Sequence, residues 1–148
     1  MKKKLSLLSV LLVLCIMFLQ GCSAEGETSI KVVTNDAKTR IEATLKADES
    51  KNYEWKYFTK NNKLTESATD FSNDIFSSTY TQKYGFVINE KESDIVYFVL
   101  YQKDDVEGGK VYEYEISYND EGEIVLGEQK ETWLKNNPEL LKQVEQAE

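Results

Sequence analysis

"IVYFVLY", residues 95–101, is the stretch that decides the fold, because all seven of its side chains are aliphatic or aromatic. A strand that packs on a core with one face alternates apolar and polar residues, whereas a strand covered on both faces is apolar throughout. The run is also rich in β-branched and aromatic residues, which favour strands. It therefore predicts a central β-strand that is buried on both faces.

The segments on either side of this run alternate apolar and polar residues, which places the apolar side chains on one face of a strand. Short strands separated by turns favour a β-sandwich or a barrel. The sequence thus predicts an all-β domain of about seven or eight strands, drawn from Ile30–Val33, Ile41–Leu45, Tyr53–Tyr57, Phe71–Phe76, Tyr84–Ile88, Ile95–Tyr101, Val111–Tyr118 and Glu123–Leu126.

Turn-forming residues lie between several of these segments. Asn119–Gly122 predicts a hairpin turn that joins the last two strands. Gly108-Gly109 predicts a second turn, because glycine adopts positive φ without steric cost.

The C-terminus has the pattern of a short helix. Asn137 is a helix-capping residue type, and Pro138 suits the first helical position. An apolar stripe follows, and we expect Trp133 and Leu134 to dock this segment onto the sandwich. The stripe consists of Leu140, Leu141 and Val144.

Length, charge and composition limit the classes of function. The 148 residues allow one ordinary domain, and the formal net charge is −8. Nucleic-acid binding is disfavoured, because it requires clustered basic residues. Histidine is absent and Arg40 is the single arginine, so His-based catalysis and His-ligated zinc are excluded for this chain alone. No nucleotide-binding loop or nucleophile elbow occurs, and we predict a non-enzymatic protein without a cofactor.

The N-terminus has the pattern of an export signal. Lys2–Lys4 precede Leu5–Leu19, an apolar run of 15 residues, which is shorter than the roughly 20 residues of a membrane-spanning helix. The run ends in Leu19-Gln20-Gly21-Cys22, which resembles the lipobox of bacterial lipoproteins. The resemblance implies cleavage between Gly21 and Cys22 and attachment of a diacylglyceryl group to Cys22. An ordinary signal peptide and a membrane span are the alternatives.

This resemblance divides the chain into a leader (residues 1–21), a polar tether (residues 22–27) and one domain (residues 28–148). The mature protein is expected on the extracytoplasmic face of a bacterial membrane, and the predominance of lysine over arginine favours a Gram-positive envelope. Lys2–Lys4 are three of the 18 basic residues, so the mature chain has 15 basic and 26 acidic residues and a net charge of −11. With Cys15 removed and Cys22 acylated, the domain has no thiol.

The order of segments from Thr39 to Val125 resembles the chagasin-type inhibitors of papain-like cysteine proteases. The resemblance rests on Ile41–Leu45, Tyr53-Glu54-Trp55, Tyr84–Ile88, Ile95–Tyr101 and Val111–Tyr118, and it implies an immunoglobulin-like antiparallel β-sandwich. The inhibitory motifs of that family are not retained. Ala47–Asn52 stands where the family has Asn-Pro-Thr-Thr-Gly, and residues 102–109 stand where it has Arg-Pro-Trp. Protease inhibition therefore does not follow from the scaffold.

The loops at one end of the predicted sandwich supply the candidate contacts with a ligand, because loops on a rigid scaffold commonly carry binding residues. These candidates are Glu49, Lys51, Asp104 and Asp105. Asp104 and Asp105 beside Glu107 also suggest calcium, but the spacing lacks the alternating ligands of an EF-hand loop, and a solvated acidic turn is the simpler interpretation. No metal site is predicted.

The expected partners are the membrane, through the lipid, and an extracytoplasmic protein or peptide. A diverged protease inhibitor and an accessory subunit of an envelope complex are the alternative functions.

Overall fold

The computed structural model describes residues 25–88 and 92–147. The predicted leader, the cleavage between Gly21 and Cys22, and the lipid attachment at Cys22 lie outside the described residues. Among the helices of the described part, none has the length and apolar character needed to cross a membrane.

Within the described residues, the chain forms nine strands, two short 3-10 helices and one α-helix. The 3-10 helices are Glu49–Lys51 and Leu134–Asn136, and α1 is Pro138–Gln146. The strands are β1 (Ser29–Thr34), β2 (Ile41–Asp48), β3 (Tyr53–Thr59), β4 (Leu64–Asp74), β5 (Thr79–Ile88), β6 (Asp94–Gln102), β7 (Asp105–Tyr118), β8 (Ile124–Leu126) and β9 (Lys130–Trp133).

The strands form two antiparallel sheets, one in the order β1-β2-β5-β4 and the other in the order β3-β6-β7-β8, with β9 also paired to β7. If β1 to β7 are taken as strands A to G, these orders are the ABED and CFG sheets of the immunoglobulin constant-type fold. The prediction of an immunoglobulin-like antiparallel sandwich with a short C-terminal helix is confirmed. The described residues add β8 and β9 along the outer edge of β7.

The central strand is buried on both faces, as the sequence predicted. Phe98 of β6 lies in the core between the two sheets. Val99 and Tyr101 lie in a second core on the other face, which Leu134 and Val144 close from the C-terminal segment. Because β6 belongs to both cores, it ties the helix to the sandwich.

The β6–β7 connection differs from the sequence prediction. The strands reverse through Lys103-Asp104, whereas Gly108-Gly109 lie inside β7, beyond a shift in register between Leu100 and Gln102. A Cβ on Gly109 would lie 2.9 Å from the Leu100 carbonyl oxygen. Glycine is required here because two backbones approach closely, and not because the chain turns.

The strand predicted at Phe71–Phe76 is longer and lies earlier in the chain. β4 ends at Asp74, and Ile75 and Phe76 lie in the turn that leads to β5. Ten of the eleven residues of β4 are exposed, and β4 is an edge strand of its sheet. Its register against β5 shifts between Glu66 and Ala68, which marks a β-bulge.

The C-terminal helix begins at Pro138 and Asn137 occupies the N-cap position, as predicted, but the Asn137 side chain makes no capping hydrogen bond. The Asn137 amide group instead donates to Thr132 Oγ1 at 3.0 Å and to the Trp133 carbonyl oxygen at 2.9 Å. Leu134 is buried and docks the segment, whereas Trp133 is 47% exposed. The expected docking role of Trp133 is therefore wrong, because this residue ends β9 at the rim of the sandwich.

Part of the predicted tether packs on the domain. The Glu27 amide donates to Thr79 Oγ1 at 3.0 Å. Gly26 lies against the paired ends of β2 and β5, where a Cβ would be 2.7 Å from the Ser78 carbonyl oxygen and 2.8 Å from Asp48 Cα. The chain therefore enters the sandwich beside the β4–β5 turn.

Candidate functional site at the entry end of the sandwich

Two of the connections predicted as binding loops meet at the end where the chain enters. The 3-10 turn Glu49–Lys51 joins β2 to β3, and Lys103-Asp104 joins β6 to β7. β3 and β6 are neighbours, with Tyr53 opposite Gln102. The Gln102 side chain donates to the Lys51 carbonyl oxygen at 2.8 Å, so the two connections are held together.

The four predicted contact residues are all exposed at this end. Lys51 and Asp105 line a cleft of about 460 Å³, which we call the entry cleft. Glu49 and Asp104 lie on the adjoining turns and do not line it. The structure therefore brings two of the four residues into one cavity.

Aromatic residues that sequence reasoning did not select form much of the entry cleft. Tyr53, Tyr112 and Trp133 line it together with Lys110. Pairing across β6, β7 and β9 places Leu100, Lys110 and Trp133 in one transverse row. These residues are distant in sequence, and β9 carries no alternating pattern, so only the strand order brings them together.

A charged pair borders the exposed tryptophan. Lys110 Nζ lies 2.6 Å from Glu131 Oε1 and 5.4 Å from the centre of the Trp133 ring. The hydrogen bond to Glu131 raises the pKa of Lys110. Lys110 is therefore protonated at neutral pH and acts as a hydrogen-bond donor, not as a base.

Burial raises the pKa of the neighbouring Tyr112, with a smaller contribution from the Glu131 charge. The phenol of Tyr112 is thus also protonated at neutral pH. Its ring lies 5.5 Å from the Trp55 ring, which anchors it on the core. Together with Lys110, this side of the cleft offers ring faces and hydrogen-bond donors.

Lys51 is positioned by a buried carboxylate. Asp48 is 1% exposed, and its Oδ1 accepts hydrogen bonds from the Ser50 amide and hydroxyl. Its Oδ2 lies 3.5 Å from Lys51 Nζ. The hydrogen bond from the Ser50 hydroxyl is the main cause of the lowered pKa of Asp48, and the Lys51 charge also contributes. Asp48 therefore stays ionised and holds the 3-10 turn.

Asp105 has a structural task as well as a place in the cleft. Its Oδ1 accepts a hydrogen bond from the Gly108 amide at 3.1 Å, which stabilises the bulged start of β7. Metal binding at this acidic turn gains no support from the geometry. Across residues 25–88 and 92–147, no three acidic, cysteine or histidine side chains are placed to hold a metal ion.

The remaining wall of the entry cleft comes from the N-terminal segment. Gly26 and Thr28 line it from the side of the other sheet. The cleft is therefore built from strands of the β3-β6-β7 sheet, from the 3-10 turn and from the segment that leads into β1. Comparison of the chain with protein-family models, with curated proteins and with solved structures finds no match.

Proposed function

We propose that the chain is a non-enzymatic, lipid-anchored binding protein of the extracytoplasmic face of a bacterial membrane. Cys22 is the acylated residue in this proposal, and the entry cleft is the binding site for a short peptide segment. The lipobox-like sequence Leu19–Cys22 supports the anchor, and the composition of the cleft supports binding.

The single observation that carries the binding proposal is the juxtaposition of an exposed tryptophan with lysines in a pocket of ligand size. A cleft of about 460 Å³ falls within the range of small-ligand and peptide-side-chain sites. Tyrosine and tryptophan are enriched at sites that bind polypeptides. Lys110, which lines the cleft, lies 5.4 Å from the centre of the Trp133 ring, and Lys135, which does not line it, lies 5.8 Å from the same ring.

The anchor is tested by mass spectrometry of the protein isolated from a bacterium that processes lipoproteins. We expect an N-terminal peptide that begins at Cys22 and carries acyl chains. A Cys22→Ser variant should retain the leader or leave the membrane fraction. A mature terminus elsewhere, without lipid, would contradict the anchor.

The cleft is tested by selecting peptides from a displayed random library against the purified mature lipoprotein. Trp133→Ala should weaken the selected peptides by about 2 kcal/mol or more, which is about thirtyfold in Kd. Val125→Ala is the matched control, because Val125 is a similarly exposed apolar residue that does not line the cleft. Equal loss with both variants, or no selected peptide, would argue against the entry cleft as a peptide site.

A diverged cysteine-protease inhibitor is the second candidate. It is favoured by one observation, the hydrogen bond from Gln102 to Lys51 that joins the two connections aligned with the family's inhibitory loops. Incubation of the mature protein with papain-like proteases tests this function, and unchanged protease activity at micromolar protein removes it. Crosslinking in native membranes distinguishes peptide binding and protease inhibition from the accessory role. A stable membrane partner is expected only for an accessory subunit.

A further inference from the structure

The β4–β5 turn presents two large apolar side chains to solvent. Ile75 is 85% exposed and Phe76 is 83% exposed. The turns of soluble proteins usually carry Gly, Asn, Asp, Ser or Pro, because these residues satisfy the backbone of the turn. Here the polar residues fix the turn and the apolar residues face outwards.

Hydrogen bonds within the turn hold this arrangement. Asp74 Oδ1 accepts from the Phe76 amide at 2.9 Å, and Asp74 Oδ2 accepts from the Ser77 hydroxyl at 2.7 Å. The hydrogen bond from Ser77 is the largest cause of the lowered pKa of Asp74, so the carboxylate stays ionised and keeps the turn formed at neutral pH. Ile75 and Phe76 therefore project from an ordered support.

The chain enters the domain directly beside this turn. Gly26 packs against the Ser78 carbonyl oxygen, and Glu27 binds the Thr79 hydroxyl through its amide. Cys22 is four residues before Gly26, a distance of roughly 14 Å at full extension. An acyl group on Cys22 thus confines the β4–β5 turn to the immediate neighbourhood of the bilayer surface.

We propose that Ile75 and Phe76 form a membrane-contacting tip that inserts into the interfacial region of the bilayer next to the lipid anchor. This inference rests on the acylation of Cys22 proposed above. Two apolar side chains alone bind a bilayer weakly, but the anchor supplies a high local concentration of lipid, so weak contacts become populated.

The charges at this end indicate the kind of contact. Lys51 Nζ is balanced by Asp48 Oδ2 at 3.5 Å and Glu25 Oε2 at 4.0 Å. The mature chain as a whole is acidic, so attraction to anionic headgroups does not drive the contact. The tip is expected to insert into zwitterionic membranes at least as readily as into anionic ones, since burial of apolar surface is its driving force and the acidic chain is repelled by anionic headgroups.

Insertion predicts a second structural consequence. With the tip in the interface, the sandwich is held at two points, the lipid on Cys22 and the β4–β5 turn. The entry cleft lies at the same end, so it faces the membrane surface. Its peptide ligand would then be a segment close to that surface, such as a juxtamembrane segment of another protein.

The test uses the full lipoprotein, produced with its own leader, purified in detergent and reconstituted into phosphatidylcholine vesicles. Phe76→Trp places a fluorophore at the tip, and Val125→Trp places one at an exposed apolar position at the opposite end. Lipids brominated in the upper part of the acyl chain quench tryptophans that enter the bilayer. Trp55 and Trp133 provide the same background in both variants.

We expect brominated lipid, relative to unbrominated lipid, to quench a larger fraction of the emission of the Phe76→Trp protein than of the wild type or of the Val125→Trp protein. Mass spectrometry of the same samples reports acylation. Acylated protein with equal quenching in both variants overturns the tip alone, whereas an unmodified Cys22 overturns the anchor and the tip together.

A second measurement distinguishes a lipid contact from self-association. The wild type is compared in detergent, by sedimentation, with the double variants Ile75→Ser/Phe76→Ser and Val33→Ser/Val125→Ser. If the wild type is a dimer that the first double variant dissociates and the second does not, the tip binds a second copy and the lipid contact is refuted. A monomer in all three samples agrees with the proposal.

Discussion

Gly26→Ala is expected to undock the N-terminal segment from the sandwich. The added Cβ would lie 2.7 Å from the Ser78 carbonyl oxygen and 2.8 Å from Asp48 Cα. Both contacts involve backbone atoms at the paired ends of β2 and β5, where Asp48 lies opposite Thr79. Because that pair is held by the sheet, residue 26 must move, and its movement breaks the hydrogen bond from the Glu27 amide.

The cost follows from the contact that is lost. One hydrogen bond to a backbone amide contributes about 0.5–1.5 kcal/mol net. Replacement of a glycine whose surroundings cannot accept a Cβ costs more than the ~0.4–1 kcal/mol that alanine gains by restricting the unfolded chain. We therefore expect the free energy of unfolding to fall by about 1 kcal/mol, with an unchanged dependence on urea because the core is intact.

Urea denaturation measures this loss, and hydrogen exchange locates it. The Glu27 amide should exchange much faster in the variant. The protection of the β6 amides should fall only by the amount that corresponds to the lower global free energy of unfolding. Glu25→Ala is the control, since Glu25 is exposed and makes one 4.0 Å contact with Lys51. A Gly26→Ala protein with wild-type stability and a protected Glu27 amide would refute the reasoning.

Three further outcomes are expected. Phe98→Ala should lower the free energy of unfolding by about 3–5 kcal/mol, because it opens a cavity in the central core; a loss below about 1 kcal/mol in urea denaturation would place Phe98 outside that core. Leu134→Ala should cost about 2–5 kcal/mol and increase hydrogen exchange in α1; unchanged exchange there would show that Leu134 does not dock the helix. The folded pKa of Asp48 lies below the ordinary 3.8, so its contribution to stability is present above that pH and is lost as pH falls through the folded pKa. Thermal unfolding at a series of acidic pH values should show a smaller acid-induced loss for Asp48→Asn than for the wild type, and equal losses would contradict the assignment.

The strands that could be predicted from the sequence are those in which every side chain on a given face is either buried or exposed. The central run at residues 95–101 and the alternation in Ile41–Leu45 both report burial directly, and both became strands. β9 (Lys130–Trp133) could not be found this way, because its four residues are exposed and the strand forms only by pairing with β7. β4 was misplaced for a related reason, since an exposed edge strand has no apolar face.

Local signals failed where a tertiary contact competes for the same group. Asn137 has the chemistry of a helix cap, but its side chain is fixed by the hydrogen bonds that Nδ2 donates to Thr132 and to the Trp133 carbonyl oxygen, and its Oδ1 makes no capping bond. Gly108-Gly109 predicts a turn, but the chain reverses at Lys103-Asp104, and the two glycines lie within β7. In both cases the residue type indicates a local constraint correctly, but the contact that uses it differs from the one that the motif predicts.

The candidate site was predicted only in part. Lys51 and Asp105 could be selected because they lie in polar loops that had to meet at one end of a sandwich. Lys110 and Trp133 could not, because their approach depends on the order of β6, β7 and β9. The residues that line such a cleft can be predicted only after the order of the strands in the sheet is known.

The open edge of β4 affects how copies of this protein would pack side by side if the proposed anchor holds them on a membrane. Acylation of Cys22, as proposed above, would restrict neighbouring copies to two dimensions and a common orientation, which favours side-by-side growth of sheets from one molecule to the next. The bulge between Glu66 and Ala68 breaks the regular ladder that such growth needs, and Asp70 and Asp74 add like charges to the edge. In the proposed lipid-anchored state, densely packed copies should for this reason not join edge to edge, and variants that remove the bulge and neutralise Asp70 and Asp74 should form fibrous clusters.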